Sequence, residues 1–358
     1  MLVYWFPFAL SLLMTLYTNK ELDLIKREKI FLNYSFSWKL LFVSLVLMIG
    51  LRYEVGGDWS TYNSQIDNIK NIDLIDGLIK YRGQFYQFFN LLGKKWGDIY
   101  LVNTICAFIF TIGLLSFCRT QPRPWLAVLV SVPYLVTVVA MGYTRQSVAI
   151  GFVMLALAAL SDGHVYRYIF WVLIGATFHK TAIIILPLVI FFSEKQIIIR
   201  LFMVIIISLI FYGLIFEDFM SAFIKIYLQN PVQSDGTIIR ILMNILPSLI
   251  FLIFIRRFNL SLPLKNFWIW FVLSGLSLSG LLLFLESSTA IDRMALYWLP
   301  LQIFIWSRIP DALSNSAYSK FIWIMFISLY SGLILLTWLL FASHAYMWIP
   351  YKFYPFMF

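Results

Sequence analysis

The sequence predicts an all-α, polytopic integral membrane protein, and three observations point there. Of the 358 residues 61% are hydrophobic, 19% aromatic and only 12% charged, too little polar surface to coat a soluble globule of this size. Apolar runs with the character of membrane-crossing helices follow one another along the whole chain. The Lys and Arg residues behind the net charge of +10 sit in short clusters between those runs. Orientation signals are distributed in this way, whereas a nucleic-acid-binding domain gathers its charge. Nucleic acid is therefore set aside as a partner.

In order, the apolar runs are approximately 2–17, 38–51, 99–117, 125–141, 145–160, 166–192, 197–216, 239–255, 266–285, 293–307 and 320–342. Several fall short of the roughly 20 residues that a straight span needs. The first has no basic region before it and no small-residue cleavage site after it, so it is expected as a retained span. Lys20, Lys26, Arg27, Lys29 and Lys39 place the first linker on the cytoplasmic side, with Arg119, Arg123 and Arg167 inside as well.

The run 166–192 decides the count. If it crosses once, Arg256, Arg257 and Lys265 lie outside, against the charge rule; if it breaks at His179-Lys180 and crosses twice, they lie inside. The halves are short, which is tolerable where free backbone groups are buried in protein or line a wet cavity. The expectation is about twelve spans, both termini outside, in one membrane domain over 1–358. The largest outer linker, 52–98, carries NSQIDNIKNIDLIDGLIKY and GQFYQFFNLLGKKW, with apolar residues at helical spacing, and predicts short amphipathic helices on the membrane face. A second outer loop is expected at 217–238, around QNPVQSDG. No internal repeat is visible, which weighs against a carrier built from inverted repeats.

The two cysteines, Cys106 and Cys118, stand about 18 Å apart along a helix and cannot form a disulfide with each other. The three histidines, His164, His179 and His344, are scattered, so zinc spacing is absent. There is no P-loop, dinucleotide glycine fingerprint, HExxH or GxSxG, and no D-x-D triplet to hold a divalent metal against a diphosphate. The expectation is an active site without cofactor or metal.

Charge at or below a membrane surface is costly and tends to mark function. Five such groups fall at the outer ends of spans: Arg52 with Asp58 in RYEVGGDWSTY, Arg145, His179 with Lys180, Arg240, and Asp292 with Arg293. Separate cationic stations suit a membrane-embedded diphosphate, because guanidinium forks pair with phosphate oxygens through charge-assisted hydrogen bonds. Arg145 begins a segment rich in Ser147, Ala149, Gly151, Ala156, Ala158 and Ala159, suited to close packing inside a bundle. Arg293 stands one turn before Tyr297, so both can face one cavity. Arg240 adjoins a polar loop and equally suits snorkelling. His179 has the titration range of a general base, and Asp58 is the competing base. His164 and His344 lack such company and read as structural. Outside the cytoplasm neither ATP nor nucleotide sugars are at hand, so a reaction there uses a substrate already activated on a lipid.

RYEVGGDWSTY, GYTRQSVAIG, ATFHKTAIIILP, IDRMALYWLP and the terminal WIPYKF, in that order, resemble the EpsG/Wzy family of bacterial O-antigen and exopolysaccharide polymerases, from about residue 50 onward. The resemblance implies a glycosyltransferase-C-like enzyme of the bacterial cytoplasmic (inner) membrane, with its active site facing the periplasm or outside. It would move a glycan chain from undecaprenyl diphosphate onto the non-reducing end of a lipid-linked repeat unit, with a chain-length regulator as a further partner. On this resemblance Arg52, Arg145 and Arg293 would hold the donor diphosphate, and His179 or Asp58 would take the acceptor proton; Arg240 and Lys180, as charges at span ends, are expected beside the diphosphate too. Trp59, Tyr62 and Tyr297 would meet sugar rings. Trp348, Tyr351 and Tyr354 are expected in the interfacial aromatic belt. The other readings are an O-antigen ligase or related lipid-linked-sugar transferase, for which the 52–98 linker is modest, and a lipid-linked oligosaccharide flippase, for which sites on both faces are expected.

Overall fold

Inside lipid, backbone N–H and C=O groups pair within the protein, which leaves helices and closed barrels as spanning structures. The computed structural model describes residues 1–18, 35–69, 72–80, 84–192, 197–211, 237–281 and 288–357. Among these residues there are helices and no sheet, with one isolated antiparallel bridge between Arg52 and Phe353.

The chain opens with α1 (Leu2–Tyr17) and α2 (Phe36–Gly50). The basic linker of Lys20, Lys26, Arg27 and Lys29 lies outside the described residues. Amphipathic spacing predicted short helices in the 52–98 linker, and three are present: α3 (Trp59–Asp67), α4 (Leu74–Lys80) and α5 (Phe85–Trp96). Then come α6 (Asp98–Arg119), α7 (Pro124–Ser131), α8 (Thr144–Ser161) and α9 (Val165–Phe178). They are followed by α10 (Ile197–Phe211), α11 (Thr237–Phe254) and α12 (Leu262–Gly280). The last group is α13 (Ser288–Ala295), α14 (Pro300–Trp306), α15 (Ile309–Ala312) and α16 (Ala317–Phe341). The loop expected at 217–238 falls almost wholly outside the described residues.

By length and composition, α6, α8 and α16 are long and apolar enough to cross a membrane. Shorter apolar helices accompany them, among them α1, α2, α9 and the continuous stretch Pro124–Ala140. The protein is thus an all-helical membrane protein.

Three runs depart from regular α-helix. After α7 the chain widens into π-helical turns over Val132–Ala140. Pro133 has no N–H to give the ladder, and the Thr137 hydroxyl donates to the Val132 carbonyl five residues back at 2.9 Å. The 166–192 run breaks at His179-Lys180, with α9 capped by His179 and a tight 3₁₀ helix over Lys180–Phe192. Wound at about 2.0 Å per residue, those residues reach about 26 Å, against about 20 Å for an α-helix. The tight winding lets a short segment go nearly as far as a span. The Tyr168 hydroxyl donates to the Ile185 carbonyl at 2.6 Å and holds α9 against this helix. The 293–307 run also splits, into α13, a 3₁₀ turn at Leu296–Trp298, and α14 starting on Pro300.

α8 lies at the centre, packed between α6 and α9, with 72% of its membrane-crossing stretch buried against 33% for α16. Its small residues allow this. A Cβ added to Gly113 on α6 would stand 2.1 Å from the Gly151 carbonyl oxygen of α8. Lipid supplies no hydrophobic drive between helices, so this close van der Waals contact is itself the source of association. Gly113→Ala is expected to lower stability by about 1–3 kcal/mol, measured by thermal unfolding in detergent. Gly280→Ala, where an added Cβ meets nothing within 4 Å, is expected to leave the midpoint unchanged.

Candidate functional site

α2 delivers Arg52 to one end of the bundle, and the chain then turns through Glu54 (φ 51°) and Gly56 (φ 106°). Gly56 answers two demands. Its φ lies in the region that side chains resist, and a Cβ there would come within 2.2 Å of the Met141 carbonyl oxygen. The turn therefore seats directly on the end of the widened 132–140 segment.

Arg52 itself points inward. Its side chain is buried, Nε donates to the Val55 carbonyl at 3.0 Å, and Nη2 donates to Thr144 Oγ1 at 2.8 Å and Asn103 Oδ1 at 3.4 Å. Nη1 donates to the Ile49 carbonyl. Expected as a diphosphate ligand, its guanidinium is instead engaged with oxygens of the loop, α6 and α8. It fixes the Asp58 loop relative to the head of α8.

The C-terminal strap completes the seat. Tyr53 N–H donates to the Lys352 carbonyl at 3.0 Å, Gly56 N–H to that of Met347 at 3.0 Å, and Tyr354 N–H to that of Leu51 at 2.9 Å. The Trp348 indole donates to the Thr137 carbonyl at 2.8 Å, and the Tyr351 hydroxyl to the Met48 carbonyl at 2.8 Å. Tyr354 stacks on Tyr100 at 3.6 Å. These aromatics were expected in the interfacial belt. They form a clasp, because the RYEVGG turn needs partners for its backbone and the strap provides them.

Around the clasped loop the charges gather. Arg293, from the last turn of α13, lies 3.9 Å from Asp58 and covers the Tyr143 ring at 4.0 Å. Its carbonyl accepts the Gln146 amide of α8 at 2.6 Å. Arg145, in the first turn of α8, lies over the rings of Tyr62 and Tyr86 at 5.9 and 5.5 Å. Arg240 Nε meets Asp292 Oδ1 at 2.5 Å. Burial pushes the Asp58 carboxyl above the usual carboxylate range, and the charges of Arg293 and Arg145 oppose the rise. Burial also raises the Tyr62 hydroxyl, with the Asp58 charge adding to it.

His179 caps α9 and its Nδ1 sits 2.6 Å from Thr181 Oγ1 and 2.9 Å from the Tyr297 hydroxyl. Lys180 follows it, half-buried, at the head of the 3₁₀ helix. The rings of Tyr62 and Tyr297 are buried in protein, while Trp59 is half-buried beside Tyr53 at 6.0 Å.

A cavity of about 880 Å³ opens beside the cluster. Its lining includes the charged or polar Asp58, Tyr143, Arg240, Asp292 and Arg293, the apolar Leu333, Ile334, Trp338 and Phe341 of α16, and His344 and Trp348 of the strap. Arg52, Arg145, His179, Lys180, Trp59, Tyr62 and Tyr297 are not in its lining. His344, read as structural from the sequence, lines the same cavity as Asp58; only the fold of the strap carries it there, and no local pattern signals that. Among the described residues no three His, Cys, Asp or Glu side chains group as a metal site.

The described residues thus form a helical membrane protein whose arginines and aspartates gather around one cavity. The model of the EpsG family matches residues 35–353, and the chain belongs to that family of Wzy-like polymerases. Membership points to a membrane polysaccharide polymerase. No curated protein and no solved structure matches the chain.

The geometry separates the arginines by task. Arg52→Ala is expected to destabilise the protein by about 3 kcal/mol or more, because it leaves buried carbonyls unpaired. Arg145→Ala and Arg293→Ala, both half-buried, are expected within about 1 kcal/mol of the parent. Thermal unfolding of the purified variants checks both.

Proposed function

We propose that the protein is a polysaccharide polymerase of the bacterial cytoplasmic membrane. It transfers a growing glycan from undecaprenyl diphosphate to the non-reducing end of a lipid-linked repeat unit, at a site facing the outside. The observation that carries this reading is the lining of the cavity, divided between arginines and aspartates on the one hand and apolar side chains of α16 on the other. A lipid diphosphate has the same division, an anionic head on a hydrocarbon tail. The topology that accompanies the reading has about twelve spans, with the 52–98 helices and the 217–238 loop outside. A chain-length regulator is a further proposed partner.

In this mechanism Arg293 and Arg240 pair with phosphate oxygens, and α16 receives the first isoprenoid units. Arg145 adds its field from behind Asp58. The first turn of α8 carries no acidic residue, so this cation reinforces the positive end of the helix dipole, and an anion nearby relieves the repulsion. Arg52 positions the loop. Asp58 is favoured as the base because it lines the cavity beside Arg293. His179, held to Thr181 and Tyr297, is then a positioning residue, and Trp59 is the aromatic left to meet a sugar.

The acceptor hydroxyl oxygen forms the new bond to the anomeric carbon, and its proton passes to Asp58. The bond from that carbon to the diphosphate oxygen breaks, and its electron pair stays with the phosphate. As the leaving group gains one negative charge the protein loses one, at Asp58. The local charge stays in balance while fixed arginines stabilise the departing anion.

Reconstitution with purified lipid-linked repeat units, without nucleotide or added divalent metal, tests this. A ladder of lengthened glycans on the lipid is expected. Translocation of substrate without elongation would instead identify a flippase, and capture of the glycan only by a different lipid acceptor a ligase. Elongation is also expected to fall as pH drops through a midpoint above the ordinary carboxylate value of about 4. Asp58 must be ionised to accept the proton, and its raised pKa brings that loss to higher pH. Arg293→Gln removes an opposing cation, so its residual activity should lose its acid limb at still higher pH; an unmoved limb would take Asp58 out of the base role.

A further inference from the structure

Two carboxylates line the cavity, and they hold their arginines differently. Arg293 and Asp58 stand 3.9 Å apart, with 31% and 35% of their side chains exposed. Arg240 and Asp292 meet at 2.5 Å, with 9% and 5% exposed. An open, loose pair admits an incoming anion with little reorganisation, whereas a buried, tight pair is costly to separate. Both arginines face the same cavity, so a diphosphate docking there meets one accessible cation and one that a fixed carboxylate already counters.

We infer that Asp292 is a built-in counter-anion to the diphosphate: it holds Arg240 in place in the ligand-free site and limits how tightly the lipid diphosphate is retained. The inference rests on the polymerase reading of the cavity and deepens it. The leaving lipid diphosphate carries one more negative charge than the sugar-bearing donor. A cluster of uncountered arginines therefore grips product more tightly than substrate. The Asp292 carboxylate, fixed beside Arg240, repels that extra charge and keeps release from limiting turnover. Like-charge proximity acts in this way where water does not screen it.

Asp292→Asn separates charge from geometry, because the amide oxygen still accepts from Arg240 Nε while the negative charge is gone. The probe is farnesyl diphosphate in detergent, with farnesol as the control lacking the anion. The Asn variant is expected to bind farnesyl diphosphate roughly tenfold more tightly than the parent, with farnesol binding unchanged, and Asp292→Glu is expected near the parent value. In elongation assays KM and kcat are expected to fall together in the Asn variant, because product leaves slowly. A merely structural aspartate would give a lower melting temperature and no gain in affinity. If the Asn variant does not fold, the smaller, equally uncharged Asp292→Ser is read in its place, with the same gain expected. A folded, uncharged variant that binds farnesyl diphosphate no more tightly than the parent overturns the inference. A parent protein that does not prefer farnesyl diphosphate to farnesol overturns the polymerase reading beneath it.

Discussion

The guanidinium of Arg52 donates at once to the loop that follows α2, to α6 and to α8, and the site takes its shape from that tie. An arginine buried this completely persists only because its donors find oxygens. The oxygens it finds belong to the end of α2, the loop after it, α6 and α8. Asp58 lies six residues beyond it and Arg145 lies one beyond Thr144, so the separation of the proposed base from the cation behind it is set by one side chain. The strap from Met347 to Tyr354 secures the same loop from its other side. Two stretches nearly three hundred residues apart in sequence thus form one structural unit.

A balance of charge is built on that frame. The arginines around the cavity are not bare: Asp58 stands near Arg293 and Asp292 against Arg240. Bare cations at the edge of a low-dielectric bundle would be expensive in the absence of ligand, and overly tight in the presence of product. Two carboxylates moderate both effects. Their unequal burial gives them different tasks in the proposed mechanism, with half-buried Asp58 exchanging a proton and buried Asp292 countering Arg240. The apolar wall of α16 explains why only a third of that helix's membrane-crossing stretch is buried: one side faces the cavity while other residues, such as Leu329 and Leu340, are exposed.

Much of the fold was legible because membrane helices announce themselves through local hydropathy. The break at His179-Lys180 was readable from charge placement alone, since only that break put Arg256, Arg257 and Lys265 on the inner side. The sequence did not disclose that the second half would wind as a 3₁₀ helix, because that winding depends on packing against α9. The grouping of Asp58, Arg145, Arg240, Asp292 and Arg293 was legible as a set of charges at span ends. Their pairing was not, since Arg240 and Asp292 are brought together only by the packing of α11 on α13. Arg52 shows the limit most clearly. From sequence it is one more cation at a span end; its inward direction depends on Asn103 and Thr144, which no local pattern connects to it. The same holds for Trp348, whose aromatic character suits an interfacial belt equally well until the Thr137 carbonyl appears as its partner.

In the proposed mechanism the cavity holds a lipid diphosphate with its head among the arginines and its tail along α16. A structure of the protein with a bound polyprenyl diphosphate tests it most directly. Phosphate oxygens are expected within hydrogen-bonding distance of Arg293 and Arg240, and the first isoprenoid units against Leu333, Ile334 and Trp338. A diphosphate bound elsewhere, or one seated with its tail directed away from α16, would contradict it.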